Sequence, residues 1–245
     1  GIMNNRRKQI LHELGLTPIW KTRTDSIPRS MASESCEIAS GTMDDLSIPA
    51  SETTRYHSVH SMNWDQLKLA VSSCTACALC QTRKNTVFGV GDQQADWLFV
   101  GEGPGAREDE IGEPFVGQAG KLLDQMLVAI GLKRGDGVYI ANIVKCRPPS
   151  NRNPSDTEVS ACEPFLSRQI QLLSPKLIVA LGKVSAGSLL NRSDSLSSMR
   201  GKIHDYSGIP LIVTYHPAYL LRALPDKAKA WKDLCFAKAT MQSLL

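Results

Sequence analysis

From Trp64 onward, short apolar runs alternate with longer stretches in which apolar side chains return every three or four positions. The short runs predict strands at Trp97–Val100, Val138–Val144, Leu177–Leu181 and Leu211–Tyr215. Several are nearly all apolar, as parallel strands buried on both faces require. The longer stretches predict helices over Lys121–Ile130, Thr157–Leu173, Val184–Leu190 and about Lys227–Leu244. Another helix, carrying Trp64, Leu67, Leu69, Ala70 and Val71, leads into a run of cysteines. Strand–helix alternation of this kind predicts an α/β fold with an open parallel sheet covered on both faces. No internal repeat is visible.

The first 60 residues read differently. Ile10, Leu11, Leu14 and Leu16 predict a short helix, and the stretch from Thr22 to His60 is rich in Ser, Thr and Met. That stretch lacks apolar periodicity and is expected to be a disordered linker. The expected organisation is therefore an extension over residues 1–60 and a folded domain over residues 61–245. No apolar run approaches the length of a membrane span, and the N-terminus has no signal-peptide core. The expectation is a soluble cytoplasmic protein. The net charge of +4 is compatible with a nucleic-acid partner without requiring one.

In an open parallel sheet, ligands bind beyond the carboxyl ends of the strands. The unusual residues fall there: Gly101-Glu102-Gly103-Pro104-Gly105 after the first strand, Asn142 in the second, and Tyr215-His216-Pro217 at the end of the fourth. The glycines have G-x-G-x-G spacing with no long helix directly after them, which is a poor match to a dinucleotide fingerprint.

Seven cysteines without a secretion signal point to metal binding rather than disulfides. Cys74, Cys77 and Cys80 form C-x2-C-x2-C, and Cys146 and Cys162 follow later. Four thiolates can hold a [4Fe–4S] cluster or one zinc ion, although the absence of a second C-x2-C pair argues against an ordinary zinc ribbon. Spacing does not decide between Cys77 and Cys80 as the second ligand. Cys36 and Cys235 are expected to be plain buried core residues.

Five ordered motifs carry a resemblance. They are Cys74-Thr75-Ala76-Cys77, Phe99-Val100-Gly101-Glu102-Gly103-Pro104-Gly105, Glu113-Pro114-Phe115-Val116-Gly117, Asn142-Ile143-Val144-Lys145-Cys146-Arg147-Pro148-Pro149 and His216-Pro217-Ala218-Tyr219-Leu220-Leu221-Arg222. In these segments, from about Cys74 to Trp231, the chain resembles the family 4, iron–sulfur uracil-DNA glycosylases. The resemblance implies a three-layer α/β/α sandwich around a four-stranded parallel sheet. It also implies a [4Fe–4S] cluster held by Cys74, Cys77, Cys146 and Cys162, with Cys80 as an extra cysteine. Ala218 stands where the family often has serine, so no serine contact is expected at that position.

Such an enzyme hydrolyses the bond between uracil and deoxyribose in single- or double-stranded DNA and begins base excision repair; a monomer is expected. Its target base must leave the stack. On this resemblance Phe115 stacks on the everted ring. The side-chain amide of Asn142 matches uracil N3–H and O4, a donor–acceptor order that cytosine reverses. Glu102, Gly103, Pro104 and Gly105 form the base-binding loop, and Glu108 is the carboxylate linked with water activation, with Asp109 a weaker candidate. His216 donates to uracil O2 as charge builds there. Leu220 or Leu221 supplies a wedge for the vacated stack, and Arg222 a phosphate contact. Lys145, Arg147, Arg152 and Lys202 are further candidates for phosphate. Two other readings are a redox protein using the cluster for electron transfer and a DNA-binding member of the same fold without catalysis. The first leaves Asn142, Phe115 and the His-Pro turn without a purpose.

Overall fold

A computed structural model of the protein describes residues 56–245. The predicted helix before Leu16, most of the expected linker and Cys36 lie outside the described residues. At the end of that expected linker, residues 56–60 are helical and Val59 is buried.

Six strands form one sheet: β1 (Val90–Gly91), β2 (Trp97–Gly101), β3 (Val138–Asn142), β4 (Leu177–Leu181), β5 (His204–Tyr206) and β6 (Ile209–Thr214), in the order β1-β3-β2-β4-β6-β5. The four strands legible in the sequence are the parallel centre, with Phe99 beside Ile140 and Val179, and Ala180 beside Val213. The expected four-stranded parallel sheet is corrected by β1 and β5, which pair antiparallel along β3 and β6. They are two and three residues long, and β5 is His-Asp-Tyr, so neither carries an apolar alternation that periodicity can detect. β3 ends at Asn142 rather than Val144, which puts Asn142 on the rim instead of inside the strand.

Side-chain alternation across the strands builds two cores. Leu98, Val100, Ala141, Ile178 and Val213 pack on one face with α1 (Trp64–Ser72), α4 (Asp156–Leu173) and α5 (Lys183–Leu190). Trp97, Phe99, Ile140, Val179 and Ile212 pack on the other with α3 (Gln118–Ala129) and α8 (Lys227–Leu244). This is the three-layer α/β/α arrangement. Capping boxes start two of the helices, Asn63 with Gln66 on α1 and Ser155 with Glu158 on α4. α8 buries Ala230, Leu234, Ala237 and Met241 at helical spacing, so Cys235 is turned about 100° away from that stripe. Cys235 is exposed, contrary to the expectation that it is a core residue.

Three short elements complete the rim. α2 (Ala106–Ile111) follows the glycine loop, α6 (Leu196–Met199) precedes β5, and α7 (Pro217–Leu220) follows His216.

Candidate active site

The carboxyl ends of β2, β3 and β6 open into a cleft of about 450 Å³. Glu102, Gly103, Pro104, Gly105, Glu108, Phe115, Asn142, His216 and Arg222 all line it. Three distant segments expected to share a rim therefore share one cavity.

Phe115 forms its inner wall. The residue has φ 54°, a left-handed conformation that costs a bulky residue energy and persists only where its surroundings enforce it. Here Arg134 donates to the carbonyls of Pro114 and Phe115 at 2.9 and 2.8 Å while pairing with Asp124. From the other side, Glu108 Oε1 accepts the backbone N–H groups of Val116 and Gly117, both at 2.9 Å. Gly120 lets the loop lie against α3, because a Cβ there would collide with the Phe115 carbonyl. The ring lies 5.5 Å from the His216 ring at an interplanar angle of 29°.

Asn142, the last residue of β3, is 2% exposed. Its Oδ1 is buried and has no hydrogen-bond partner among the described residues. Leaving a buried acceptor unsatisfied costs about 1–3 kcal/mol, so the atom calls for a ligand donor. Gly101 sits beside it: a Cβ there would fall 2.5 Å from both Asn142 Oδ1 and Phe115 Cζ. The glycine is thus what allows amide and ring to converge.

His216 caps α7, its Nδ1 accepting the N–H of Ala218 at 3.1 Å. Burial lowers its pKa to about 4, with Glu108 pulling weakly the other way. The imidazole is therefore neutral at pH 7, and with Nδ1 acting as acceptor its proton resides on Nε2. Glu102 faces the cleft, and burial raises its pKa. Among the described residues, Glu108 makes its hydrogen bonds through Oε1, to the loop, and none through Oε2.

Other expectations are corrected. Asp109 is 2% exposed, and its Oδ1 accepts the N–H groups of Lys84 and Asn85, so it is engaged in holding a loop rather than facing the cleft. Leu220 is buried in the core and cannot act as a wedge, whereas Leu221 is exposed next to Arg222. Lys145 is 1% exposed and unavailable to phosphate. The remaining phosphate candidates are not overturned: Arg152 is exposed and lines the cleft, with both terminal nitrogens on Glu158 at 2.8 and 2.6 Å, Arg147 binds Asn151, and Lys202 is exposed. The guanidinium of Arg152, reinforced by the Ser155 N–H, holds the Glu158 pKa down to about 2. Sequence reasoning missed Arg134, whose role depends on a loop folded back onto it. It also missed Asn151, Asn153 and Tyr219 in the cleft wall, which had no signal beyond a polar or aromatic residue near a motif.

Cys74, Cys77, Cys80, Cys146 and Cys162 line a second, small pocket on the α1/α4 side of the sheet. Arg83, unnoticed in the sequence, donates to Cys146 Sγ at 3.0 Å and to the Cys74 carbonyl at 2.8 Å. The backbone N–H of Lys145 donates to Cys162 Sγ at 3.2 Å. Burial raises the thiol pKa values of Cys77 and Cys146 and pushes that of Cys162 to about 12. Among the described residues, no group of three or more His, Cys, Asp or Glu side chains is arranged to hold a metal ion. No helix among them is long and apolar enough to cross a membrane.

At the carboxyl ends of the parallel central strands of a doubly covered sheet, an amide, an aromatic ring and a neutral imidazole line one cleft. The family model of the uracil DNA glycosylase superfamily matches residues 88–238. A type-4 uracil-DNA glycosylase of Pyrobaculum aerophilum is 44% identical over 183 residues, covering 71% of this chain and 92% of that protein. Type-4 uracil-DNA glycosylases of Sulfurisphaera tokodaii and Thermotoga maritima are each 47% identical, covering 64% and 62% of this chain and 75% and 80% of those proteins. The chain belongs to the uracil-DNA glycosylase superfamily and, within it, to the type-4 enzymes.

Proposed function

We propose that this chain excises uracil from DNA by hydrolysing its N-glycosidic bond, thereby initiating base excision repair. The observation that carries the reading is the buried Oδ1 of Asn142 beside the Phe115 ring, an atom with no hydrogen-bond partner among the described residues. Everting a base costs a few kcal/mol, which the pocket must return. Phe115 supplies a stacking face for the extruded ring. Asn142 Oδ1 accepts uracil N3–H and its amide nitrogen donates to O4. Cytosine offers an acceptor where Oδ1 needs a donor, leaving that atom unsatisfied.

Cleavage places negative charge on the departing uracil and positive charge on the sugar. His216, neutral and protonated on Nε2, donates to uracil O2 as that charge develops. Glu108 uses Oε2 to hold the attacking water or face the sugar cation, while Oε1 maintains the Phe115 loop. Glu102, Gly103, Pro104 and Gly105 complete the base-binding loop. Arg222 meets a phosphate and Leu221 enters the space the base vacates.

The reading includes a [4Fe–4S] cluster held by Cys74, Cys77, Cys146 and Cys162. The donor set fits in kind rather than in arrangement: thiols from three chain segments line one pocket, and N–H groups from Arg83 and Lys145 point at two of the sulfurs, while no three of the side chains converge on one metal position among the described residues. When bound, the cluster would cross-link those segments and is assigned no step in hydrolysis. The reading also includes action on single- and double-stranded DNA, by a monomer, in the cytoplasm, where thiol ligands remain reduced.

The test is incubation of the purified protein with uracil-containing DNA of both kinds, followed by alkali to break abasic sites. Uracil release without added cofactor is expected. No release from either substrate, with iron present in the protein, sinks the proposal.

A further inference from the structure

Lys145 is a buried cation that the reaction above does not use. Its side chain is among the largest fully buried ones in the protein. Nζ donates to the main-chain carbonyl of Asn142 at 3.0 Å and to Gln169 Oε1 at 2.6 Å. Gln169, on α4 and 1% exposed, in turn donates to the Phe88 carbonyl at 3.0 Å and to the Tyr139 hydroxyl at 3.4 Å. The backbone of Lys145 is tied down as well, its carbonyl accepting the Val87 N–H at 2.7 Å and its N–H donating to Cys162 Sγ at 3.2 Å.

Packing does not explain an ammonium here. An apolar side chain of equal length would fill the same space without desolvating a charge. What such a side chain lacks is the ability to hold a carbonyl. The carbonyl it holds belongs to Asn142, the last residue of β3; the same peptide's N–H, on Ile143, donates to the Gly101 carbonyl of β2 at 2.9 Å, so the ammonium supplies the second anchor of that peptide, on the side away from β2. A side-chain amide can meet a base edge within hydrogen-bond distance only if the backbone that carries it is held in place.

We propose that Lys145 is a positioning residue for base recognition: its ammonium ties the Asn142 peptide to α4 through Gln169 and so fixes the place from which the reading amide reaches the base. The proposal rests on the reading of Asn142 given above. It also links the two pockets, since one residue bonds the reader through its side chain and a proposed cluster ligand through its backbone.

The test uses full-length, iron-loaded protein and a double-mutant cycle between Lys145→Met and Asn142→Ala. The readouts are iron content, melting temperature, affinity for DNA carrying a stable abasic-site analogue, and single-turnover uracil release at saturating DNA. Lys145→Met is expected to slow release about tenfold or more while changing abasic-DNA affinity less than about twofold, and to add less than about twofold in the Asn142→Ala background. A wild-type rate in Lys145→Met, equal losses in both backgrounds, or abasic-DNA affinity falling as far as the rate overturns the proposal. Should Lys145→Met fail to fold, Gln169→Leu takes its place in the same cycle. A loss of about threefold that disappears in the Asn142→Ala background supports the proposal, and any loss independent of Asn142 overturns it. A wild-type rate in Asn142→Ala overturns the reading of Asn142 and this proposal together. An impaired Asn142→Ala beside an unimpaired Lys145→Met overturns this proposal alone.

Discussion

The Nδ1 atom of His216 accepts the backbone N–H of Ala218 at 3.1 Å. This one bond settles which nitrogen of a neutral ring carries the proton. It also performs the cap that a serine or aspartate usually supplies at a helix start. The α7 turn and the tautomer are therefore set by the same contact.

His216, with its pKa lowered to about 4, should remain neutral throughout the range in which an ordinary histidine titrates. Between about 4 and the usual 6.5 the unfolded chain binds a proton that the folded chain does not, so this group's contribution to stability is complete above 6.5 and is lost as pH falls toward 4. An NMR titration of the imidazole checks the value. The stability gap between wild type and His216→Gln should narrow from pH 7 to pH 5. A midpoint near 6.5 would contradict the burial argument.

Replacing Asn142 by aspartate puts an acceptor-only carboxylate where the amide donates. Uracil release should fall about 100-fold or more, with the melting temperature affected far less. The measurement is single-turnover release at neutral pH; an unimpaired rate removes Asn142 as the reader.

Gly101→Ala places a methyl group 2.5 Å from both Asn142 Oδ1 and Phe115 Cζ. Amide and ring cannot both keep their positions. Base excision should drop at least about tenfold, while affinity for an abasic-site analogue, which needs no base pocket, is kept. Equal loss of both activities would mean that the strand end itself had moved.

Glu108→Gln keeps an oxygen able to accept the Val116 and Gly117 N–H groups and removes the charge. If the charge acts in the reaction, release slows by about tenfold to a hundredfold with an unchanged melting temperature. If only the loop clamp matters, the variant works normally.

Cys146→Ala removes one sulfur of the thiol pocket and leaves Arg83 Nη1 without its acceptor. Iron content should fall, and the melting temperature should drop by about 5 °C or more. Retained iron with an unaltered melting curve would refute Cys146 as a ligand.

The four central strands, the helices that cover them and the rim location of the glycine loop and His216 were all readable from the chain, because burial on two faces imposes an apolar run and burial on one imposes a helical stripe. The cysteine spacing likewise announced a shared thiol pocket. What the sequence left open were matters of direction. Lys145 looked like a phosphate ligand, yet it turned inward to a carbonyl. Leu220 and Leu221 were equivalent on paper, and only the turn of α7 buried one and exposed its neighbour. Linear order specifies which groups are available and how often they recur. Where each one points depends on residues more than a dozen positions away, Gly101 against Phe115 and Asn142 or Arg134 against the Phe115 loop, and those encounters exist only once the sheet has closed.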